Sequence, residues 1–348
     1  MSYQVTVQPS QHQFSAEPGQ SVLDAALAAG IVLPYSCRNG ACSTCKGKVL
    51  SGEFDAGPHP AQILAPEELG AGYTLFCQAR PRSDMVIEAA EIRLASDIQI
   101  RKLPVRVISI ERAAPDVAVL KLQLPASEPF RYYAGQYVEV ILKDGKRRSY
   151  SMAVPPHAGS PLELHVRHMP GGVFTDHVFG AGATQMKERE ILRLEGPFGS
   201  FFLREDSDKP IVLLASGTGF APIKAIVEHM IHQGIGRPVR LYWGGRRPRD
   251  LYMDELARQW PQALPDFRYV PVVSEPATED AWSGRTGFVH QAVMQDLPDL
   301  SGYQVYACGA PPMVEAARRD FGAHCGLPEG EFYADAFTSE ADLAAQQA

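Results

Sequence analysis

Four cysteines constrain this chain more than any other feature. Cys37, Cys42 and Cys45 share one short loop, Cys37-Arg-Asn-Gly-Ala-Cys42-Ser-Thr-Cys45, and Cys77 follows after a further strand-and-turn segment. The C-x4-C-x2-C…C spacing is one that holds a single [2Fe–2S] cluster. Thiolates are soft ligands that suit iron and bridging sulfide, and four of them complete two tetrahedral irons. Gly40 lets the loop take positive φ and wrap tightly, so that backbone N–H groups point at the sulfurs. Small Ala41, Ser43 and Thr44 leave room for that wrap. A structural zinc site also uses four Cys, but draws them from two short knuckles rather than from one loop and a distant fourth.

At 348 residues the chain is long for a single core and implies two or three domains. A net charge of -7 argues against nucleic acid, which demands clustered Lys and Arg to neutralise phosphates. The basic runs at 143–148 and 237–249 are short and read as solvated loops. The N-terminus lacks a basic segment followed by an apolar core, so no signal peptide is expected. The most apolar runs are strand-sized and too short to span a bilayer. A cytoplasmic protein without membrane or nucleic-acid partners follows. Its six Cys are then candidates for metal or redox chemistry rather than for disulfides.

Three compositional blocks succeed one another. In the first, residues 3–7 alternate as a strand does, and Ser21-Val22-Leu23-Asp24 offers a capping-box-like start to a short Ala-rich helix that Gly30 ends. Residues 93–103 read as a connector. The second block has strand-like runs at 105–110, 117–124, 137–142, 162–166 and 191–194 separated by turn residues, as in an antiparallel barrel. In the third, 211–215 is a continuous apolar run, as expected of a strand buried on both faces. A Gly-containing turn, a helix over 222–232 and further buried strands at 239–243, 269–273 and 303–308 follow. That is a doubly wound parallel sheet.

The second block contains Arg148-Ser149-Tyr150-Ser151, which resembles the R-x-Y-S/T motif of the ferredoxin-NADP reductase superfamily. The resemblance implies that Arg148 pairs with a flavin pyrophosphate, that Tyr150 lies against the isoalloxazine and that the Ser151 hydroxyl reaches ring N5. The chemistry suits those residue types: Arg offers a bidentate fork for phosphate and Tyr a flat contact with a polar edge. Gly171-Gly172-Val173-Phe174-Thr175 is a second family element. Its glycines permit close backbone approach, and the following helix start presents N–H groups to pyrophosphate; Gly172, Val173 and Thr175 are the implied contacts. Gly196-Pro197-Phe198-Gly199 matches the family's turn closing the barrel.

Gly217-Thr218-Gly219-Phe220-Ala221-Pro222 follows the 211–215 strand and resembles the GTG-x-A-P turn of the same superfamily, beside the nicotinamide cofactor's pyrophosphate. Pro222 takes the place of a third glycine, and Pro at a helix's first position is favourable. Cys308-Gly309-Ala310-Pro311-Pro312 resembles the family's CG-x-P motif, which puts Cys308 beside the nicotinamide C4 and the flavin N5, with Gly309 next to it. The carboxyl end of a parallel strand is where such sheets bind ligands. Cys325 has no such context and reads as structural. Phe332-Tyr333-Ala334-Asp335-Ala336-Phe337 is where the family places residues over the flavin: Phe337 would shield the ring and Asp335 would position a proton or hydride. A final strand with a packed aromatic is an equal reading. The loop Gly244-Gly245-Arg246-Arg247-Pro248-Arg249-Asp250 lies where the adenosine ribose belongs. It holds both an acid and arginines, which leaves NADH, the preferred reading by resemblance, beside NADPH.

The three resemblances fall in order along nearly the whole chain. The expected architecture is an α+β ferredoxin (β-grasp) domain over 1–93, a linker over 94–103, an antiparallel β-barrel FAD domain over 104–205 and an α/β doubly wound nucleotide-binding domain over 206–340. Nicotinamide delivers two electrons together and the cluster accepts one at a time, so a flavin between them reconciles the two. Arg147-Arg148-Ser149-Tyr150-Ser151, Glu163-Leu164-His165-Val166-Arg167, 287–293 and Tyr306-Ala307-Cys308-Gly309 are closest to the CDP-6-deoxy-delta-3,4-glucoseen reductases, with His165 and Val166 on the flavin side. That resemblance implies electrons passed to a dehydratase, and a carrier that must dock transiently suits a monomer. Phenol hydroxylase and benzoate dioxygenase reductases share the domain order and feed oxygenase components instead. A non-catalytic cluster-carrying module is the rival outside enzymology.

Overall fold

The computed structural model describes residues 2–89, 92–94, 98–126 and 129–337. By contact the chain divides in two: the described residues up to 94 with 199–201 and 334–337 form one unit, and 98–198 with 202–333 the other.

The first unit opens with a hairpin of β1 (Tyr3–Gln8) and β2 (Gln13–Ala16), followed by α1 (Val22–Ala28) and β3 (Ile31–Val32). After the cysteine loop come β4 (Lys46–Ser51), β5 (Phe54–Asp55), α2 (Pro66–Gly70), β6 (Tyr73–Leu75), β7 (Arg80–Pro81), β8 (Met85–Glu88) and β9 (Arg93–Leu94). The main sheet has the order β2-β1-β8-β4-β6. The two central strands β1 and β8 run parallel, and the other pairs are antiparallel. This is the expected β-grasp arrangement. Ser21 caps α1 as its sequence implies: its Oγ accepts the Asp24 N–H at 3.1 Å, a contact worth about 1 kcal/mol. The helix buries Val22, Leu23, Ala25 and Ala26, and Gly30 leaves it at φ 75°.

The second unit begins with an antiparallel sheet of β10 (Arg101–Ala114), β11 (Val117–Gln123), β12 (Tyr137–Ile141), β13 (Arg147–Ser151), β14 (Leu162–Arg167) and β15 (Ile191–Phe198), with α3 (Val173–Phe179) between the last two. The strand order is β13-β12-β15-β10-β11-β14. Its ends meet through an antiparallel bridge between Met152 and Leu164 and an Ala153 N–H to Glu163 carbonyl bond of 2.9 Å, which makes the sheet a barrel. Inward-pointing Val105, Val107, Leu120, Leu122, Val138 and Leu164 fill it.

Three local readings change. Strand β10 starts at Arg101, inside the stretch read as linker, while 95–97 lie outside the described residues. Gly196-Pro197-Phe198 is not a turn: these residues continue β15, with Gly196 opposite Arg101 and Phe198 opposite Tyr137. Pairing with strands on both sides outweighs the turn propensity of a Gly-Pro pair. Finally, α3 starts at Val173, within the Gly171–Thr175 element and not after it.

The rest of this unit is β16 (Ile211–Ser216), α4 (Phe220–Gln233), β17 (Val239–Gly245), α5 (Asp254–Gln259), β18 (Phe267–Val273), β19 (Arg285–Thr286), α6 (Val289–Asp296), β20 (Gln304–Gly309) and α7 (Pro311–Cys325), and the final strand β21 (Phe332–Ala336) joins the same sheet. The order is β19-β18-β17-β16-β20-β21, with β16 through β20 paired in parallel. Ile211 through Ala215 are 0% exposed, as a strand covered on both faces should be. The chain builds outward from β16 to β17 and β18, then crosses to β20 on β16's other side. That reversal leaves a crevice at the carboxyl ends of β16 and β20, where open α/β sheets bind ligands. Helix α4 starts at Phe220, two residues before the expected Pro222. Pro222 fits because N–H groups of a first helical turn have no intrahelical acceptor to lose.

The basic runs read as solvated are largely engaged. Arg147 pairs with Glu139 at 2.7 Å and with Glu195, and buried Arg237 donates to the Lys209 and Arg204 carbonyls and to Gln304.

Candidate functional site

The cysteine loop runs between β3 and β4, and Cys77 stands just past β6. Cys42, Cys45 and Cys77 are buried and Cys37 half-buried. Arg38, Gly40 and Ser43 all have positive φ (59°, 86° and 52°), and these three left-handed residues coil the loop on itself. A side chain at Gly40 would meet Gln78 Cγ at 3.1 Å and the Pro58 carbonyl at 3.3 Å. The Cys37 N–H points at Cys42 Sγ at 3.5 Å, and Gln78 Nε2 lies 3.7 Å from Cys77 Sγ. Among the described residues no trio of His, Cys, Asp or Glu is arranged to hold a single ion. The sulfurs fall instead into two pairs. Cys37 hydrogen-bonds Cys42 and lowers its thiol to about 6 against the cost of burial, and Cys45 lowers Cys77 in the same way. Their partners, Cys37 and Cys45, are pushed up by that same bond and by burial. Two pairs of thiols, two of them easily ionised and all facing N–H donors or one another, fit a centre of two irons with two thiolates each. In the same unit Ser36 hydrogen-bonds buried Asp335, and Phe337 lies half-buried just past β21.

In the barrel, strand alternation puts Arg148 and Tyr150 of β13 on one face and Ser149 and Ser151 on the other. Tyr150 and Arg148 are half-buried, Ser149 is exposed and Ser151 is buried at the barrel seam. Burial raises the Tyr150 hydroxyl against the pull of the Arg148 charge, so the two side chains are electrostatic neighbours. The Tyr150 ring packs on Phe174 of α3 with centroids 5.4 Å apart, which joins the R-S-Y-S strand to the G-G-V-F-T turn. Gly171 has φ 83°. A Cβ on Gly172 would collide with Thr175 Oγ1 at 2.7 Å and the Met169 carbonyl at 2.9 Å. The Thr175 hydroxyl donates to that same carbonyl at 2.8 Å, and Val173 is 64% exposed. The result is a tight, tied turn that presents an open helix start.

The nicotinamide motifs interlock. A Cβ on Gly219 would lie 2.2 Å from the Cys308 carbonyl oxygen, and one on Gly309, at φ 132°, would lie 2.3 Å from Ser216 Oγ. Only glycines let the turns after β16 and β20 touch backbone to backbone, and the Ser216 hydroxyl accepts the Ala310 N–H at 2.9 Å. Cys308 is fully buried, opposite Ala215. The Trp243 indole donates to the Gly217 carbonyl at 3.0 Å and stacks on Phe220 at 3.8 Å. Thr218 is buried, and Pro222 sits in the first turn of α4.

A buried polar chain absent from the sequence reading joins barrel to nucleotide domain. His165 Nδ1 lies 2.8 Å from the Tyr252 hydroxyl and Nε2 2.9 Å from Glu163, while Val166 packs in the barrel core. Lys224 of α4 donates to the Ala153 carbonyl at 3.0 Å and pairs with Glu228 at 2.9 Å and Glu163 at 3.3 Å. Burial would raise the Glu163 carboxyl, but the His165 bond and the Lys224 charge prevail and hold it at about 2. Burial lowers the His165 imidazole and raises the Glu228 carboxyl and, strongly, the Tyr252 hydroxyl, which senses Arg167, Glu163 and Cys308. Arg167 in turn lies against Gly217, where a Cβ would meet its Nη1 at 2.7 Å. The available signal was a lone Lys in the apolar run Phe220-Ala-Pro-Ile-Lys224-Ala-Ile-Val.

Comparison with known proteins covers the whole arrangement. Residues 5–82 match the 2Fe-2S iron-sulfur cluster binding domain, 104–203 the oxidoreductase FAD-binding domain and 213–319 the oxidoreductase NAD-binding domain. The CDP-6-deoxy-L-threo-D-glycero-4-hexulose-3-dehydrase reductase of Yersinia pseudotuberculosis is 42% identical over 337 residues, covering 97% of this chain and 99% of that protein. Reductase component 1 of the Comamonas terephthalate 1,2-dioxygenase is 37% identical, with 97% and 98% covered. The crystal structure of an Amycolatopsis cytochrome P450 reductase superposes with a TM-score of 0.77 at 36% identity, covering 97% of this chain and 99% of its own.

Proposed function

Because the chain belongs to the family of reductase components that join a 2Fe-2S cluster binding domain to FAD-binding and NAD-binding domains, we propose that it delivers single electrons to a separate dehydratase acting on a CDP-linked hexulose. The chain is an NAD(P)H-dependent oxidoreductase whose cofactors are FAD and a [2Fe–2S] cluster. Among its described residues no helix is long and apolar enough to cross a membrane.

In this reading Cys37, Cys42, Cys45 and Cys77 hold the cluster. Arg148, Ser149, Gly172, Val173 and Thr175 hold the flavin pyrophosphate and its neighbourhood, while Tyr150, Ser151, His165 and Val166 border the ring system. Gly217, Thr218, Gly219, Pro222 and Gly309 shape the nicotinamide crevice, and Cys308 stands at the point of hydride transfer. The family resemblance adds Asp335 and Phe337 to these residues. We assign the domains to 1–93, 101–205 and 206–340, with a connector that ends where β10 begins at Arg101, in a cytoplasmic monomer. Bound there, FAD would supply the conversion of one hydride's electron pair into single electrons. The residues hold cofactor and nucleotide in register, and no nucleophile or general base is required of them.

The observation that carries the reading is the continuity of the two halves of the second unit. The Tyr252 hydroxyl bonds His165 on a barrel strand, and Arg167 at the end of that strand lies against Gly217, where a Cβ would meet its Nη1 at 2.7 Å, so flavin and nicotinamide motifs share one neighbourhood. The dehydratase reading rests on the 42% identity to the Yersinia reductase. The 37% identity to a dioxygenase reductase component favours an oxygenase as the second reading. Anaerobically prepared holoprotein should bleach its flavin absorbance on adding NADH, develop the signal of a one-electron-reduced cluster, and reduce ferricyanide with turnover. It should then support a purified CDP-hexulose dehydrase and not a terephthalate-type oxygenase. Protein that takes up neither iron nor flavin on reconstitution would overturn the reductase reading; turnover with the oxygenase alone would overturn the choice of partner.

A further inference from the structure

The second strand of the nucleotide sheet, β17, ends at Gly245 and runs into Arg246-Arg247-Pro248-Arg249-Asp250. In a doubly wound sheet this strand end faces the adenosine ribose: a carboxylate there accepts the 2′-hydroxyl of NAD, and an arginine accommodates the 2′-phosphate of NADP. Three arginines in four positions would by count favour the phosphate. The structure withdraws the central one. Arg247 forks onto Asp280 through Nε and Nη2, and the same Nη2 reaches Glu279 at 2.9 Å. Both acids belong to the short turn Thr278–Asp280 that follows the neighbouring strand β18. Asp280 is itself fixed, because its Oδ2 accepts the Ala277 N–H at 2.9 Å, and its carboxylate also senses Arg249.

Asp250 closes the other side. Its Oδ2 accepts the backbone N–H groups of Arg246 and Arg247, each at 2.9 Å, so this acid shapes the turn. A guanidinium fork binds carboxylate and phosphate with the same bidentate geometry, and here two carboxylates already hold it. A 2′-phosphate would have to displace them and then sit beside Asp250, Glu279 and Asp280. A neutral 2′-hydroxyl meets no such opposition.

We propose that Glu279 and Asp280 occupy Arg247 in place of a 2′-phosphate, that this pairing makes the enzyme select NADH, and that Arg247 is a latent NADPH-binding residue. The inference rests on the reductase reading above and specifies its nucleotide. It is tested by comparing the wild type, the Glu279→Gln/Asp280→Asn double variant and that double variant carrying Arg247→Ala. Two readouts apply: ferricyanide reduction with NADH and NADPH, and calorimetric binding of 2′,5′-ADP and 5′-AMP to the oxidised holoprotein, which needs no turnover. The wild type should prefer NADH. The double variant should gain about tenfold in kcat/KM for NADPH, the lower end expected of one charge-assisted contact, and bind 2′,5′-ADP tighter while 5′-AMP is unchanged. Adding Arg247→Ala should erase both gains. Glu279 is 74% exposed, so Glu279→Gln alone, with a smaller gain in the same direction, serves if the double variant is unstable. Equal use of NADPH by the wild type, no gain on neutralising the acids, or a gain that survives loss of Arg247 would each overturn the proposal. A wild type inert with both nucleotides would instead sink the reductase reading.

Discussion

The cysteine loop and the flavin–nicotinamide crevice solve the same problem, holding a redox group, by opposite constructions. The loop takes three of four thiols from the stretch 37–45 and adds Cys77 from the next strand end. The proposed crevice draws Ser151, His165, Gly219, Tyr252 and Cys308 from five separate places along the chain. The first is a local object in which ligand chemistry dominates, and the second exists only once the strand order is in place. Damage should therefore be total and confined in the loop, and graded and shared in the crevice.

The strongest contrast comes from Cys42→Ser. Loss of one thiolate should abolish the iron signal and electron delivery to a protein acceptor, while flavin content and NADH–ferricyanide turnover persist; parallel iron and flavin assays check this. A variant that loses both cofactors would show that the two regions are not independent. Acid stability probes the crevice. The Glu163 carboxyl is held at about 2 in the fold, below the ~4.3 of an unfolded chain. Its contribution is therefore complete above pH ~4.3 and drains away as pH falls towards 2. The span is worth up to ~3 kcal/mol. Urea midpoints between pH 6 and 3 should fall more steeply for the wild type than for Glu163→Gln.

Arg148→Ala should weaken FAD by roughly 10- to 150-fold through loss of a charge-assisted contact of about 1.5–3 kcal/mol. The protein would purify partly flavin-depleted with its iron intact. Gly219→Ala tests the crevice wall itself, because its methyl would lie 2.2 Å from the Cys308 carbonyl oxygen, a backbone atom that cannot swing aside. Overpacking of about 3 kcal/mol or more should appear as a lower Tm and a raised KM for NADH, with the iron retained.

The same contrast governs what could be read in advance. Cys37, Cys42, Cys45 and Cys77 announce themselves because thiol spacing is itself the chemistry. The α1 cap at Ser21 and the buried run of β16 were equally legible, being properties of adjacent residues. Strand β13 was recognised as a motif and not as a strand, since Arg-Arg-Ser-Tyr-Ser has no apolar alternation; its pairing with β12 supplies the order. Gly196-Pro197 misled because a turn signal yields to a strand with partners on both sides. Lys224 and Tyr252 went unremarked, and Glu163 stood only as part of a family stretch, because their meaning lies in one another, and α4, β14 and the segment after β17 meet only in three dimensions.

The ring of barrel strands is fastened where Met152 meets Leu164, one residue beyond Ser151. The clasp of the cylinder thus belongs to the segment whose side chains are proposed to hold the flavin. Occupancy and closure would then be one equilibrium: a ligand at a hundred times its dissociation constant adds about 2.7 kcal/mol, and here that increment would fall on the seam. Stripped of its dye, the protein should exchange the Ala153 amide hydrogen, which crosses the seam to the Glu163 carbonyl, well before those of β10 and β11, as a bracelet parts at the catch and not along its links.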